Sequence, residues 1–210
     1  MKIITKQPRN ICLVLLLLIV ALVVAPSYQL SLSPELRATC LAAIQSYDKC
    51  TFYTQCLEKI KPCGPNGYAL GYGYKYCSKF FSDVNSGAYK SEYAQKWVSS
   101  TGHCLQKFLM QNVVEKLLSN TGSEWNCERI IDASFNSHPG CYTDSISPID
   151  GQKYSICKLR NVFDVKTVLM TVDAKDLLTA RSMKQIVGVL KNCMSDVLSL
   201  DEVNELNDYL

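Results

Sequence analysis

Ten cysteines follow residue 30 of this chain, and five of them, Cys40, Cys50, Cys56, Cys63 and Cys77, fall within 38 residues. A segment so dense in thiols and turn residues holds no fixed shape by apolar burial alone, and Cys104, Cys127, Cys141, Cys157 and Cys193 read as the partners that tie the rest of the chain to it. An even count suits a complete disulfide framework in an oxidising compartment. Metal binding is the competing use of thiols, but there is no C-x-x-C pair and only His103 and His138 could add imidazole ligands. No metal site and no cofactor is therefore expected.

The N-terminus fits that compartment. Lys2, Lys6 and Arg9 precede an unbroken apolar run from Ile11 to Ala25, with Pro26 and Ser27 after it. Fifteen residues fall short of the roughly 20 needed to cross a bilayer, and small residues at Ala25 and Ser27 suit a peptidase. Residues 1–27 are thus expected to be a signal peptide, removed together with Cys12, and the protein to be secreted without a stable membrane anchor. Its loss takes the formal charge from +3 to 0. No Lys/Arg run remains, which argues against nucleic acid as a partner. Residues 28–210 suffice for a single domain.

Periodicity predicts an all-α fold stapled by disulfides, with irregular loops. Ser33-Pro34-Glu35 opens a helix over 34–48 with Leu36, Cys40, Ala43 or Ile44, and Tyr47 on one face. Thr51–Ile60 continues as a second helix that Pro62 stops. Cys63-Gly64-Pro65-Asn66-Gly67 reverses the chain, and a loop enters a third helix at about residue 70. The tyrosines at 68, 72, 74 and 76 read as a recognition patch or, more simply, as rings packed over the disulfides. Tyr89–Ser119 is one long helix kinked near Gly102. Asn120-Thr121-Gly122-Ser123 is a turn, Glu124–Phe135 a short helix closed by His138-Pro139-Gly140, and 141–151 an irregular loop leading to a short helix around Cys157. Asp173 is expected to cap the last large helix, and the acids Asp196, Asp201, Glu202, Glu205 and Asp208 follow its apolar stripe.

Catalytic patterns are weak. Gly71-Tyr72-Gly73-Tyr74 ahead of His103-Cys104 invites comparison with secreted phospholipases A2, whose histidine is followed by an aspartate; here Cys104-Leu105-Gln106 follows, and that carboxylate is missing. Neither His103 nor His138 sits in a nucleophile motif, and Asp144, Asp150 and Asp164 lie too far apart for a twelve-residue calcium loop. No phosphate-binding glycine loop occurs. The expectation is a protein that is not an enzyme.

The cysteine ladder itself is specific. Cys40-Leu41, Cys50, Cys56-Leu57-Glu58, Cys63, Gly67-Tyr68, Tyr76-Cys77-Ser78-Lys79-Phe80, Lys96-Trp97-Val98, Cys104, Cys127 and Cys141 succeed one another in an order that resembles the stanniocalcins, a family of secreted glycoprotein hormones. Leu190-x-x-Cys193 with Asp196 and Val197 resembles that family's stretch around its penultimate cysteine. The resemblance covers about residues 38–200. It implies the pairs Cys40 with Cys56, Cys50 with Cys77, Cys63 with Cys127, Cys104 with Cys141, and Cys157 with Cys193. It also implies a hormone-like role in calcium and phosphate homeostasis or in restraining a secreted metalloprotease, through an extracellular protein partner, receptor or protease. The family's additional cysteine, which joins two chains, has no counterpart after Cys193, so any homodimer is expected to be non-covalent. The family's N-glycosylation sequon is absent too, and no N-x-[ST] occurs. The alternatives are a lipid-active enzyme or lipid binder on the same helices, and a species-specific secreted effector.

Overall fold

A computed structural model describes residues 34–45, 50–119 and 124–195. The expected leader, the Ser33 cap, the end of the expected first helix at 46–48, the 120–123 turn and the acidic residues from Asp196 onward lie outside the described residues.

Among the described residues the chain forms eight helices and one small hairpin. Helix α1 spans 34–45 and buries Cys40, Ala43 and Ile44 on the face its spacing marks out. Helix α2 is π-helical over Phe52–Leu57 and α-helical over Glu58–Ile60. Helix α3 begins as a π-helix at Tyr68–Tyr74 and continues as Lys75–Asn85, so the expected loop up to residue 70 is already helical. Gly73 explains the close approach: a Cβ there would lie 2.4 Å from the ring of Tyr53, so only glycine lets α2 and α3 meet.

Helix α4 is α-helical over Glu92–Leu109, π-helical over Met110–Val114 and α-helical again over Glu115–Leu118. It passes through Gly102 without interruption, and the departure from α geometry lies eight residues later. Its start is fixed by Ser91, whose Oγ accepts from Ala94 N at 3.1 Å. That cap is itself held by Asp164, fully buried, which accepts from the Lys90 and Ser91 amides and from Ser91 Oγ.

Helix α5 runs Cys127–Thr143, capped by Asn126, and does not close at Pro139. A proline inside a helix removes one amide and orphans the carbonyl four residues earlier. Here that carbonyl, Phe135 O, accepts from Gln185 Nε2 at 3.2 Å, so a side chain from a distant helix replaces the missing donor. Of the irregular loop expected over 141–151, residues 141–143 are still helical and β1 (Ser145–Ile146) pairs antiparallel with β2 (Lys153–Tyr154) just beyond it, Ser145 opposite Tyr154. Cys157 sits in a single 3₁₀ turn, Ile156–Lys158.

Helix α6 (Val162–Thr171) was not foreseen by periodicity; Asn161 caps it by accepting from Phe163 N at 2.9 Å. Asp173 precedes only the short α7 (Ala174–Leu177), and its carboxylate turns away to pair with lysines of α3. The chain breaks at Leu178, and the last large helix, α8 (Ala180–Ser195), is opened by Thr179, whose Oγ accepts from Ser182 N.

Five bridges tie these elements: Cys40–Cys56, Cys50–Cys77, Cys63–Cys127, Cys104–Cys141 and Cys157–Cys193, with Cα separations of 4.9 to 5.8 Å. They are the same five pairs that the stanniocalcin resemblance implies. The first four lock α1 to α5 around a core of Phe52, Leu57, Leu109, Val113 and Ile130. A second cluster, Tyr89, Ala94, Trp97, Val98 and Tyr154, seats the hairpin on α4. The fifth bridge fastens the 3₁₀ turn to α8.

Candidate functional site

The tyrosine-rich stretch and His138 converge on one place. Tyr68, Tyr72 and Tyr76 follow at four-residue spacing on α3. Tyr68 stacks on Tyr72 with ring centroids 5.9 Å apart, and Tyr72 meets Tyr76 at 4.6 Å. From α5, Phe135 and Tyr142 stack on either side of His138, at 5.5 and 5.3 Å. A hydrogen bond of 3.0 Å joins Tyr68 Oη and His138 Nε2. Only Tyr74 of the four tyrosines faces solvent, so most of the stretch forms interior wall rather than outer surface.

Burial sets the electrostatics. Desolvation lowers the His138 imidazole to about 4, opposed by an interaction of the ring with the Gln185 side chain that favours the protonated form. The same loss of water raises Tyr53, Tyr68 and Tyr142, and takes Tyr72 up to about 12. Every one of these groups is uncharged at neutral pH. His138 is thus a neutral ring in an aromatic stack, and not a base reaching toward solvent.

The other sequence candidates are held apart from this centre. His103 lies on α4, half-buried on the side facing Ile44 of α1, and its pKa is lowered by desolvation and by Lys107. Asp144 pairs with Lys153 at 2.8 Å. Asp150 accepts from Gln152 N and from Tyr154 Oη at 2.8 Å, and these bonds hold its carboxyl at about 2. Asp164 is committed to the cap of α4. Among the described residues, no three His, Cys, Asp or Glu side chains converge as metal ligands.

One charged group of residues was not legible beforehand. Lys75 bridges Asp173 and Asp176 at 2.5 and 2.7 Å, Lys79 pairs with Asp173, and Tyr76 Oη donates to Asp176. These bonds depress both carboxyls and raise Lys75. They pin α7 to the start of α3, across 94 to 101 residues of sequence. No spacing rule could have revealed them, because the partners lie on different helices.

The aromatic stack forms the floor of an apolar cleft of about 190 Å³ between α6 and α8. Tyr72, Phe80, Trp97 and Tyr142 make the floor, and a smaller void of about 60 Å³ lies against the same four rings. Around the opening, α8 turns much of its apolar stripe outward. Its Ser182 and Gln185 point inward to make hydrogen bonds, while Met183, Val187, Leu190 and Met194 stand exposed in one stripe. Lys184 and Lys191 flank that stripe, exposed. No helix among the described residues is long and apolar enough to cross a membrane.

No family model, curated protein or solved structure matches the chain.

Proposed function

We propose that this chain is a secreted, non-enzymatic regulatory protein of the stanniocalcin type, acting by binding an extracellular protein. The observation that supports this reading is the disulfide set. All ten cysteines outside the leader are closed into five pairs, the pairs that the resemblance implies. A framework that consumes every thiol makes a rigid scaffold and leaves no cysteine nucleophile. The two histidines serve separate helices, one of them as a neutral ring in the interior.

Function then resides in a surface. The stripe of Met183, Val187 and Met194 beside Lys184 and Lys191 is the face assigned to the partner, an aliphatic patch with a polar rim. The partner class is a receptor or a secreted metalloprotease, with calcium and phosphate homeostasis or protease regulation as the process.

The test is crosslinking of the oxidised mature chain in extracellular fluid, with a photoreactive group beside Val187. Wild type and H103Q are expected to trap the same protein, and V187D to lose at least tenfold. Phospholipid hydrolysis that vanishes in H103Q would instead make the chain an enzyme.

A further inference from the structure

We infer that the acidic segment 196–210 lies back along α8 and covers its exposed apolar stripe, so that the chain carries its own competitor for that face. Charge argues for it first. Residues 28–210 sum to zero, and Asp196, Asp201, Glu202, Glu205 and Asp208 stand in 196–210 without a base, so their −5 matches +5 on residues 28–195. Much of that excess gathers toward α8. Lys158, Arg160, Lys166, Lys175, Lys184 and Lys191 are all exposed and enter no ion pair among the described residues. The acids of the same stretch are already engaged: Asp164 holds the cap of α4, and Asp173 and Asp176 hold Lys75 and Lys79.

The stripe has the shape and the edge that such an occupant needs. Met183, Val187, Leu190 and Met194 are 38% to 56% exposed, an apolar face that nothing among the described residues covers. Lys184 lines the groove between α8 and α5 with Asp132 and Pro139, and Lys191, two turns on, shares its side of the helix, so both edge the stripe there. The Cys157–Cys193 bridge, with Cα atoms 5.3 Å apart, brings Lys158 beside the last turn of α8, where the segment departs. That segment sets Leu200, Val203, Leu206 and Leu210 three or four residues apart among its acids. Its leucines and valine suit the stripe, and its carboxylates suit the lysines. From Met194 back to Met183 is about 16 Å along the helix, and fifteen residues reach about 22 Å even at a helical rise and about 50 Å extended. A tethered occupant also acts at an effective concentration on the order of mM, which a free ligand must overcome.

The competition rests on the partner role proposed above for the stripe; the contact itself does not. A benzophenone side chain in place of Leu206 in the oxidised chain reads the contact. Irradiation is expected to link residue 206 to the peptide over 183–194 of the same chain, and K184E/K191E to lower the yield several-fold. A chain ending at Ser195 should exchange its amides over 183–194 faster and trap several-fold more of the extracellular partner through a photoreactive group beside Val187. Should that chain not fold, D201N/E202Q/E205Q/D208N in the full chain takes its place. The inference is overturned if residue 206 links elsewhere or to a second copy, if charge reversal leaves the yield unchanged, or if exchange over 183–194 ignores the segment. A partner trapped equally with and without the segment overturns the competition. An intact crosslink from residue 206 with no partner trapped by either chain upholds the contact and overturns instead the function proposed above.

Discussion

His138 shows how one buried side chain couples this fold to pH. The folded chain keeps the imidazole neutral down to about pH 4, whereas an unfolded chain protonates it near 6.5. Below 6.5 the unfolded state therefore binds the extra proton, and stability falls as pH drops. The contribution is complete above about pH 6.5 and declines by about 3 kcal/mol on the way to pH 4, at about 1.4 kcal/mol per unit. Urea midpoints across that window should slope downward in wild type, and H138Q should flatten the slope while lowering the plateau through loss of ring stacking. Equal slopes in the two proteins would place His138 in a solvated site. Asp164 acts by a different route, since its carboxylate satisfies three donors at the start of α4. Asp164→Ala should cost about 3 kcal/mol by denaturant titration, because buried amides lose a charged acceptor. A loss below about 1 kcal/mol would show that water replaces it.

Between elements, the contact of α8 with α5 depends on a paired defect. Pro139 leaves a carbonyl unsatisfied, Gln185 satisfies it, and Gly188 sits where a Cβ would come 2.9 Å from the proline ring. Gly188→Val should push α8 off its seat and destabilise the oxidised protein by about 1–3 kcal/mol, read as a lower urea midpoint. An unchanged midpoint would mean that α8 is not seated there. This joint also explains what could and could not be read in advance. The helices α1, α2, α4 and α8 follow from apolar spacing, although Asp173 does not cap α8, and the cysteine ladder carried the cross-links through a resemblance. The continuation of α5 past Pro139 could not be read locally, because the compensating donor lies 50 residues away. Helix α6 escaped notice because it exposes Val162, Phe163, Leu169 and Met170 and buries Asp164, inverting the pattern that marks an amphipathic helix. The cleft was illegible for the same reason: two helices facing apolar groups outward make sense only once both are placed.

At the scale of the whole molecule, four bridges bind α1 to α5 and one bridge holds the α6–α8 end, where the exposed apolar groups gather. Removing Cys157 and Cys193 together should cost about 2–4 kcal/mol and raise amide exchange across 162–195, leaving α1 to α5 protected. Uniform loss of protection would make the fold one cooperative unit. The central claim is that oxidative cross-linking, closed over the ten cysteines from Cys40 to Cys193, shapes a scaffold for binding. Peptide mapping of the oxidised chain without reduction tests it most directly. The account predicts five linked pairs, Cys40–Cys56, Cys50–Cys77, Cys63–Cys127, Cys104–Cys141 and Cys157–Cys193, with no free thiol; unreacted cysteines or any other linkage would contradict it.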